Sequence, residues 1–294
     1  MTMPLILDGR KLSAEIQQEI REQITAIRQR GGKIPHLAAV LVGNDGASTT
    51  YVNSKIRLCH AVGMQSTFIH LDTDTSETEL LHVVEDLNSN PDVDGCIVQL
   101  PLPKHINETR IVEAIAPDKD VDGFHPLNLG RMQLGLPAFI SATPAGIMTI
   151  LNRYHIETAG KHCVIIGRSN IVGTPLSILL SRNTDPGNCT VTLCHSRTQG
   201  LSEICRSADI LIAALGRPEF IKGDMVKPGA VVIDVGISRV PANNEKGYMI
   251  KGDVEFETVA PKCSAISPVP GGVGLMTVVS LLMNTMQAAV RKNQ

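Results

Sequence analysis

Lys55 is the residue of this sequence most obviously placed to handle a proton, because of the face of its helix on which it falls. Asn44-Asp45-Gly46 reads as a turn, Ser48 is a good N-cap and Gly63 suits a helix stop, so a helix is predicted over 48–62. At about 100° per residue, Tyr51, Val52, Ile56, Leu58, Cys59 and Val62 fill one arc, and Asn53, Ser54, Arg57 and His60 lie outside it. Lys55 falls near the middle of the apolar arc, one turn after Tyr51. Two readings stay open. The stem can snorkel to the rim of the core, or the amine can sit in a partly apolar cleft where desolvation or a nearby cation lowers its pKa for chemistry.

A second candidate is Gln99, at the end of a strand predicted from Val93 to Leu100 and cut off by Pro101 and Pro103. Ligands of open parallel sheets sit beyond the carboxyl ends of the strands, which brings Gln99 and the Tyr51–Lys55 helix toward one edge. The amide of Gln99 can bond a lysine amine or a substrate amide. Asp118-Lys119-Asp120-Val121-Asp122-Gly123 clusters carboxylates in a turn but lacks the spacing of a calcium loop. The histidines show no metal-ligand spacing, so no metal is expected.

A third group is nucleotide-like. Lys161 to Ile166 leads into Gly167-Arg168-Ser169-Asn170-Ile171-Val172-Gly173-Thr174-Pro175 and then an apolar helix: a strand, a tight glycine turn, and a helix N-terminus open to phosphate. Ser169 stands where the usual fingerprint has its second glycine. The next strand ends Cys194-His195-Ser196-Arg197-Thr198, without the acid that holds a ribose 2′-hydroxyl. Ser196, Arg168 and Arg197 suit a 2′-phosphate instead, which favours NADP over NAD.

These residues need elements to hold them. Strand and helix alternate four times before residue 117, and the alternation restarts after a helix opened by Thr143 and Pro144. Residues 117–143 read as a loop crossing between domains. Later strands are predicted at 162–166, 190–195, 209–213 and 230–235, and a short one near Met249-Ile250. The loop Pro268 to Gly274 precedes a last helix at 275–290.

Composition excludes several classes. The net charge of −2 and the scarcity of aromatics (no Trp, three Tyr, five Phe) give no support to a nucleic-acid surface. Leu275 to Val290 is interrupted by polar residues and short for a bilayer, so no membrane role is expected. Seven cysteines, without a Cys-x-x-Cys pair, read as buried free thiols in a reducing, cytosolic compartment.

Tyr51-x-x-x-Lys55 also invites comparison with short-chain dehydrogenases, but there the nucleotide turn precedes the Tyr-Lys helix, and here it follows. Five motifs in one order instead closely resemble the bifunctional methylenetetrahydrofolate dehydrogenase/cyclohydrolase family. They are Tyr51-x-x-x-Lys55, Val98-Gln99-Leu100-Pro101-Leu102-Pro103, Asp118 to Gly123, Gly167-Arg168-Ser169-x-x-Val172-Gly173-x-Pro175, and Pro268-Val269-Pro270-Gly271-Gly272-Val273-Gly274.

The resemblance implies two parallel-sheet α/β domains with the active site in the cleft between them: a folate-binding domain of residues 1–143 plus 275–294, and a Rossmann-like NADP-binding domain of 144–274. It implies oxidation of 5,10-methylenetetrahydrofolate with NADP⁺ to the methenyl cation, then hydrolysis to 10-formyltetrahydrofolate. Lys55 and Gln99 would be catalytic. Tyr51, Asp122, Pro270, Gly271 and Gly272 would bind substrate, and Gly167, Arg168, Ser169, Ser196 and Ile237 would bind NADP. A homodimer is implied as well. The alternative within the family is a monofunctional dehydrogenase. Leu275 stands where the family has proline, and Ser141-Ala142 where Pro-Cys is common.

Overall fold

The structure, a computed structural model, describes residues 3–244 and 247–291. In chain order, β1 (Leu5–Ile6) leads into α1 (Gly9–Gln29), followed by β2 (His36–Val42), α2 (Gly46–Val62), β3 (Gln65–Leu71), α3 (Glu77–Ser89), β4 (Gly95–Val98), α4 (Glu108–Ala114) and α5 (Pro126–Gln133). Then come α6 (Ala142–Arg153), β5 (His162–Ile166), α7 (Gly173–Ser181), β6 (Thr190–Cys194), α8 (Leu201–Ser207), β7 (Ile210–Ala213) and β8 (Val231–Asp234). A hairpin, β9 (Ser238–Pro241) and β10 (Tyr248–Lys251), precedes α9 (Phe256–Val259), β11 (Ala265–Ile266) and α10 (Val273–Arg291).

Two compact units result. One contains Ala14–Ala142 and the residues from Val278 on, and is built on a three-stranded parallel sheet in the order β3-β2-β4. Its centre is β2, the unbroken apolar run Leu37–Val42, buried on both faces as a parallel central strand must be. Val40, Leu80, Val84, Val98 and Ile111 form the core on one face of this sheet. A reciprocal capping box between Ser76 and Glu79 starts α3.

The other unit contains Thr143–Thr277 with the residues up to Ser13, and is built on a six-stranded sheet in the order β1-β11-β8-β7-β5-β6, every pair parallel. Strand order reverses at β5, with β6 on one side and β7 and β8 on the other, which is the doubly wound arrangement. Val164, Ile166, Leu211, Val232 and Ile266 lie in its core.

Three expectations change. Residues up to Ser13 do not join the first sheet: β1 extends the six-stranded one, pairing Leu5 with Ala265 and Ile6 with Ile266. A two-residue strand carries too little pattern to specify its partner. The supposed loop at 117–143 contains α5, capped by the His125 side chain, which accepts from Leu127 N, with Pro126 in the first turn. Thr143 is not an N-cap, because α6 already begins at Ala142.

By length and composition alone α10 could cross a membrane (19 residues, hydropathy 1.5), but 67% of that window is buried inside the protein. Asn284 on this helix donates to the carbonyls of Val121 and Ile140, as a core helix does.

Candidate active site

Lys55 is held by a helix whose start is fixed two ways. Gly43, at φ +80°, turns the chain out of β2, and the Asp45 carboxylate caps α2 by accepting from Ser48 N at 2.8 Å. The cap is thus Asp45, three residues before the predicted Ser48. Gly63 ends the helix in the left-handed conformation. Among the described side chains of α2 the buried positions are Ser48, Val52, Lys55, Cys59 and Val62, one stripe at intervals of four and three. Lys55 occupies its middle with only 8% of its surface exposed. One turn further, burial pushes the Cys59 thiol up to about 12. The amine therefore sits on an apolar face and does not reach out to solvent.

Its polar partners come from β4 and the turn beyond α4. Lys55 Nζ donates to Gln99 Oε1 at 3.2 Å and stands 3.9 Å from Asp122 Oδ1. Gln99 is oriented in turn, its Nε2 donating to Leu100 O at 2.7 Å. Asp122 reaches this place because residues 119–121 run beside the free edge of β4: Cys96 N donates to Lys119 O at 2.7 Å, and a parallel bridge joins Cys96 to Asp120. Glycine at 95 makes that approach possible, since a Cβ there would stand 2.6 Å from the Val121 side chain.

Asp120 fixes the turn. Its carboxylate accepts from Phe124 N (3.2 Å), His125 N (2.8 Å) and Asn128 Nδ2 (2.9 Å). Burial nevertheless outweighs these bonds and pushes its pKa up to about 6. Ser141 Oγ donates to Gly123 O at 3.1 Å, so one of the two departures from the family pattern supports the Asp122 turn directly. Tyr51, 43% exposed, lies one turn before Lys55 on the same helix.

In the other unit the turn after β5 is a cradle made by close approach. Gly167 has φ +119°, and a Cβ on it would lie 2.1 Å from Ala214 O; one on Gly173 would lie 1.8 Å from Gly167 O. No side chain caps the start of α7; Thr174 N donates to Ser169 O at 3.1 Å and Pro175 has no N–H, which leaves the Gly173 N–H at the helix start for an anion. Ser169 Oγ accepts from Val172 N at 3.2 Å. Arg168, Ser196 and Arg197 are exposed, and neither arginine has a carboxylate partner among the described residues. Ile237, 46% exposed, follows β8 and covers Gly274, where a Cβ would meet its Cδ1 at 2.6 Å. The predicted substrate loop is anchored to the start of α1: Arg10 N donates to Gly271 O at 3.0 Å, and Gly9 packs on Gly272.

Comparison with known proteins then assigns the chain. The sequence model "Tetrahydrofolate dehydrogenase/cyclohydrolase, catalytic domain" matches residues 7–122, and that of the same family's NAD(P)-binding domain matches 141–293. The bifunctional protein FolD of Porphyromonas gingivalis is 58% identical over 285 residues, covering 97% of this chain and 96% of the relative. The chain belongs to the tetrahydrofolate dehydrogenase/cyclohydrolase family. Among solved structures, FolD of Campylobacter jejuni superposes with a TM-score of 0.92 at 45% identity, covering 98% of this chain and 99% of that one. FolD of Trypanosoma brucei, complexed with NADP cofactor and inhibitor, gives 0.94 at 33% identity with both chains fully covered.

For this family member, one unit brings together Tyr51, Lys55, Gln99 and Asp122, and the other holds the nucleotide turn, Ile237 and the loop of Pro270, Gly271 and Gly272. Sequence reasoning missed the supports: Asp120 and Ser141 behind Asp122, and Asp234 and Asp253 behind the nucleotide-side loops. Asp120 was visible only as one acid in an acidic turn.

Proposed function

We propose that Lys55 is the proton-handling group of a bifunctional enzyme, with Gln99 orienting its amine. The enzyme oxidises 5,10-methylenetetrahydrofolate with NADP⁺ to the methenyl cation and hydrolyses that cation to 10-formyltetrahydrofolate. The observation that carries the role of Lys55 is a nearly buried amine, 3.2 Å from Gln99 Oε1, flanked along its stripe by Val52 and Cys59. The cationic methenyl carbon opposes a second positive charge beside it and favours the neutral amine. That amine can take a proton from the attacking water, and Gln99 keeps it aimed. Asp122, at 3.9 Å from Nζ, is offered to the polar N–H edge of the pterin, and Tyr51 supplies a flat apolar face for packing.

The turn of Gly167 and Gly173, packed too closely against backbone for any Cβ, fits a dinucleotide pyrophosphate at the start of α7. Bound there, NADP⁺ supplies the hydride acceptor. Ser169 holds the turn, and Arg168 and Ser196 favour the 2′-phosphate. Ile237 would contact the bound nucleotide, and Pro270, Gly271 and Gly272 would contact the substrate, as the family resemblance implies. The seven buried free thiols support a cytosolic setting, and the family resemblance supports a homodimer, to be checked by sedimentation equilibrium. The test of the main reading is methylenetetrahydrofolate oxidation with NADP⁺ and NAD⁺ in parallel, beside methenyl hydrolysis without nucleotide. A preference for NAD⁺ would overturn the reading of Arg168 and Ser196. Absent hydrolysis would overturn that of Lys55.

A further inference from the structure

Two carboxylates buried behind the nucleotide-side loops take no part in the mechanism above. Asp253 is fully buried and accepts three consecutive backbone N–H groups: Oδ2 from Leu215 (2.6 Å) and Gly216 (3.0 Å), Oδ1 from Arg217 (2.7 Å). These amides form the loop after β7. Gly216, at φ +67°, lets the chain curl so that all three point at one acid. Asp234, at the end of β8, accepts from Asp253 N (2.8 Å), Val254 N (3.0 Å) and Gly236 N (3.0 Å). The pair ties the loop after β7, the turn after β8 and the return segment 252–254 into one block. Glycines make the block this dense: a Cβ on Gly236 would stand 2.4 Å from the Asp253 carboxylate, and one on Gly252 would stand 1.8 Å from that of Asp234.

That block faces the dinucleotide turn. Ala214, which opens the loop after β7, donates to Ile166 O at 2.8 Å, and its carbonyl is what a Cβ on Gly167 would strike. In a doubly wound sheet the dinucleotide lies across the point where strand order reverses, here between β5 and β7. Arg168, Ser196 and Arg197 stand on the β5–β6 side and take the 2′-phosphate end. The loops after β7 and β8 are left for the nicotinamide end.

We propose that Asp253, with Asp234 behind it, is a positioning residue for the nicotinamide half of the NADP site. This rests on the reading of the second unit as the site of NADP. Asn at 253 must turn an NH₂ group toward either the Leu215–Gly216 amides or that of Arg217, and at least one amide loses its acceptor. The loop then loosens where the hydride acceptor rests, while the 2′-phosphate contacts stay.

For Asp253→Asn the dehydrogenase is expected to lose about five- to a hundredfold in kcat/KM, the range a buried unpaired amide commonly costs. KM for NADP⁺ rises, kcat falls, and the NADP⁺/NAD⁺ preference and the nucleotide-free hydrolysis of methenyltetrahydrofolate stay as in the wild type. Gly216→Ala perturbs the same loop gently, since its Cβ would enter open space and strain only the positive φ; it should show the same pattern, more weakly. An unchanged dehydrogenase in Asp253→Asn, a parallel loss of both activities in both variants, or a loss of NADP⁺/NAD⁺ discrimination would overturn the proposal. Absence of NADP⁺-dependent turnover in the wild type would instead overturn the reading beneath it.

Discussion

Replacing Lys55 with methionine separates the two reactions. Methionine fills the same stripe beside Val52 and Cys59, so packing is kept. The lost cation stood 3.9 Å from Asp122 Oδ1, a gross attraction of about 4 kcal/mol at an effective dielectric of about 20. No ammonium is desolvated any longer, but the buried Asp122 carboxylate is left without its cation, so stability should fall by about 3 kcal/mol, the low end for breaking a buried pair from one side. Catalysis is hit harder. A positioned acid–base group contributes about 10²–10⁴ in rate, so hydrolysis should lose about 3–5 kcal/mol of barrier lowering. The assay follows the decay of methenyl absorbance without nucleotide, corrected for the rate in buffer, and in parallel NADPH formation from methylenetetrahydrofolate. Dehydrogenase activity should fall by only about tenfold, because that step asks for positioning and not for a proton. Hydrolysis within about threefold of wild type in a folded variant would refute the assignment of Lys55.

Other outcomes follow from the same geometry. Gln99→Glu sets a second carboxylate beside the amine and holds its proton, so hydrolysis should drop about tenfold or more in the same absorbance assay. Arg168→Ala should cut the NADP⁺/NAD⁺ ratio of kcat/KM about 10- to 100-fold, the worth of one charged hydrogen bond. Gly173→Ala drives a Cβ to 1.8 Å from Gly167 O; NADP⁺ binding by fluorescence titration should be lost while hydrolysis persists. Asp120 and Asp234 are both pushed up to about 6 by burial, so each folded form holds a proton that the unfolded chain releases near 4. Each group therefore weakens the fold as pH rises from about 4 to 6, by at most about 3 kcal/mol, and adds nothing further above that window. Carboxyl carbon NMR titrations should place both midpoints near 6; midpoints near 4 would contradict this.

The wheel position of Lys55, the strand end at Gln99 and the glycine turn at Gly167 were legible in the sequence because each depends on local periodicity and punctuation. Asp122 was recognisable from its motif, but its approach to Lys55 depends on residues 119–121 lying beside β4, a pairing that no local pattern encodes. The same holds for β1, whose partner β11 lies at the far end of the chain. The partners of Asp253 precede it by 36 to 38 residues, and an aspartate after a glycine reads as an ordinary turn. Helix α5 was hidden by its short span and by a histidine cap, a less familiar start than Ser or Asp.

The cysteines give the fold an internal clock. All seven are free and buried, and burial raises the pKa of each thiol, so the native protein holds them as inert thiols. Cys59 and Cys96 belong to one unit; Cys163, Cys189, Cys194, Cys205 and Cys263 belong to the other. A thiol reagent can react only when a unit opens, and peptide mapping tells the two sets apart. Labelling rates would therefore time the opening of the lysine-bearing unit and of the nucleotide unit separately, in the unmodified protein and without any introduced probe.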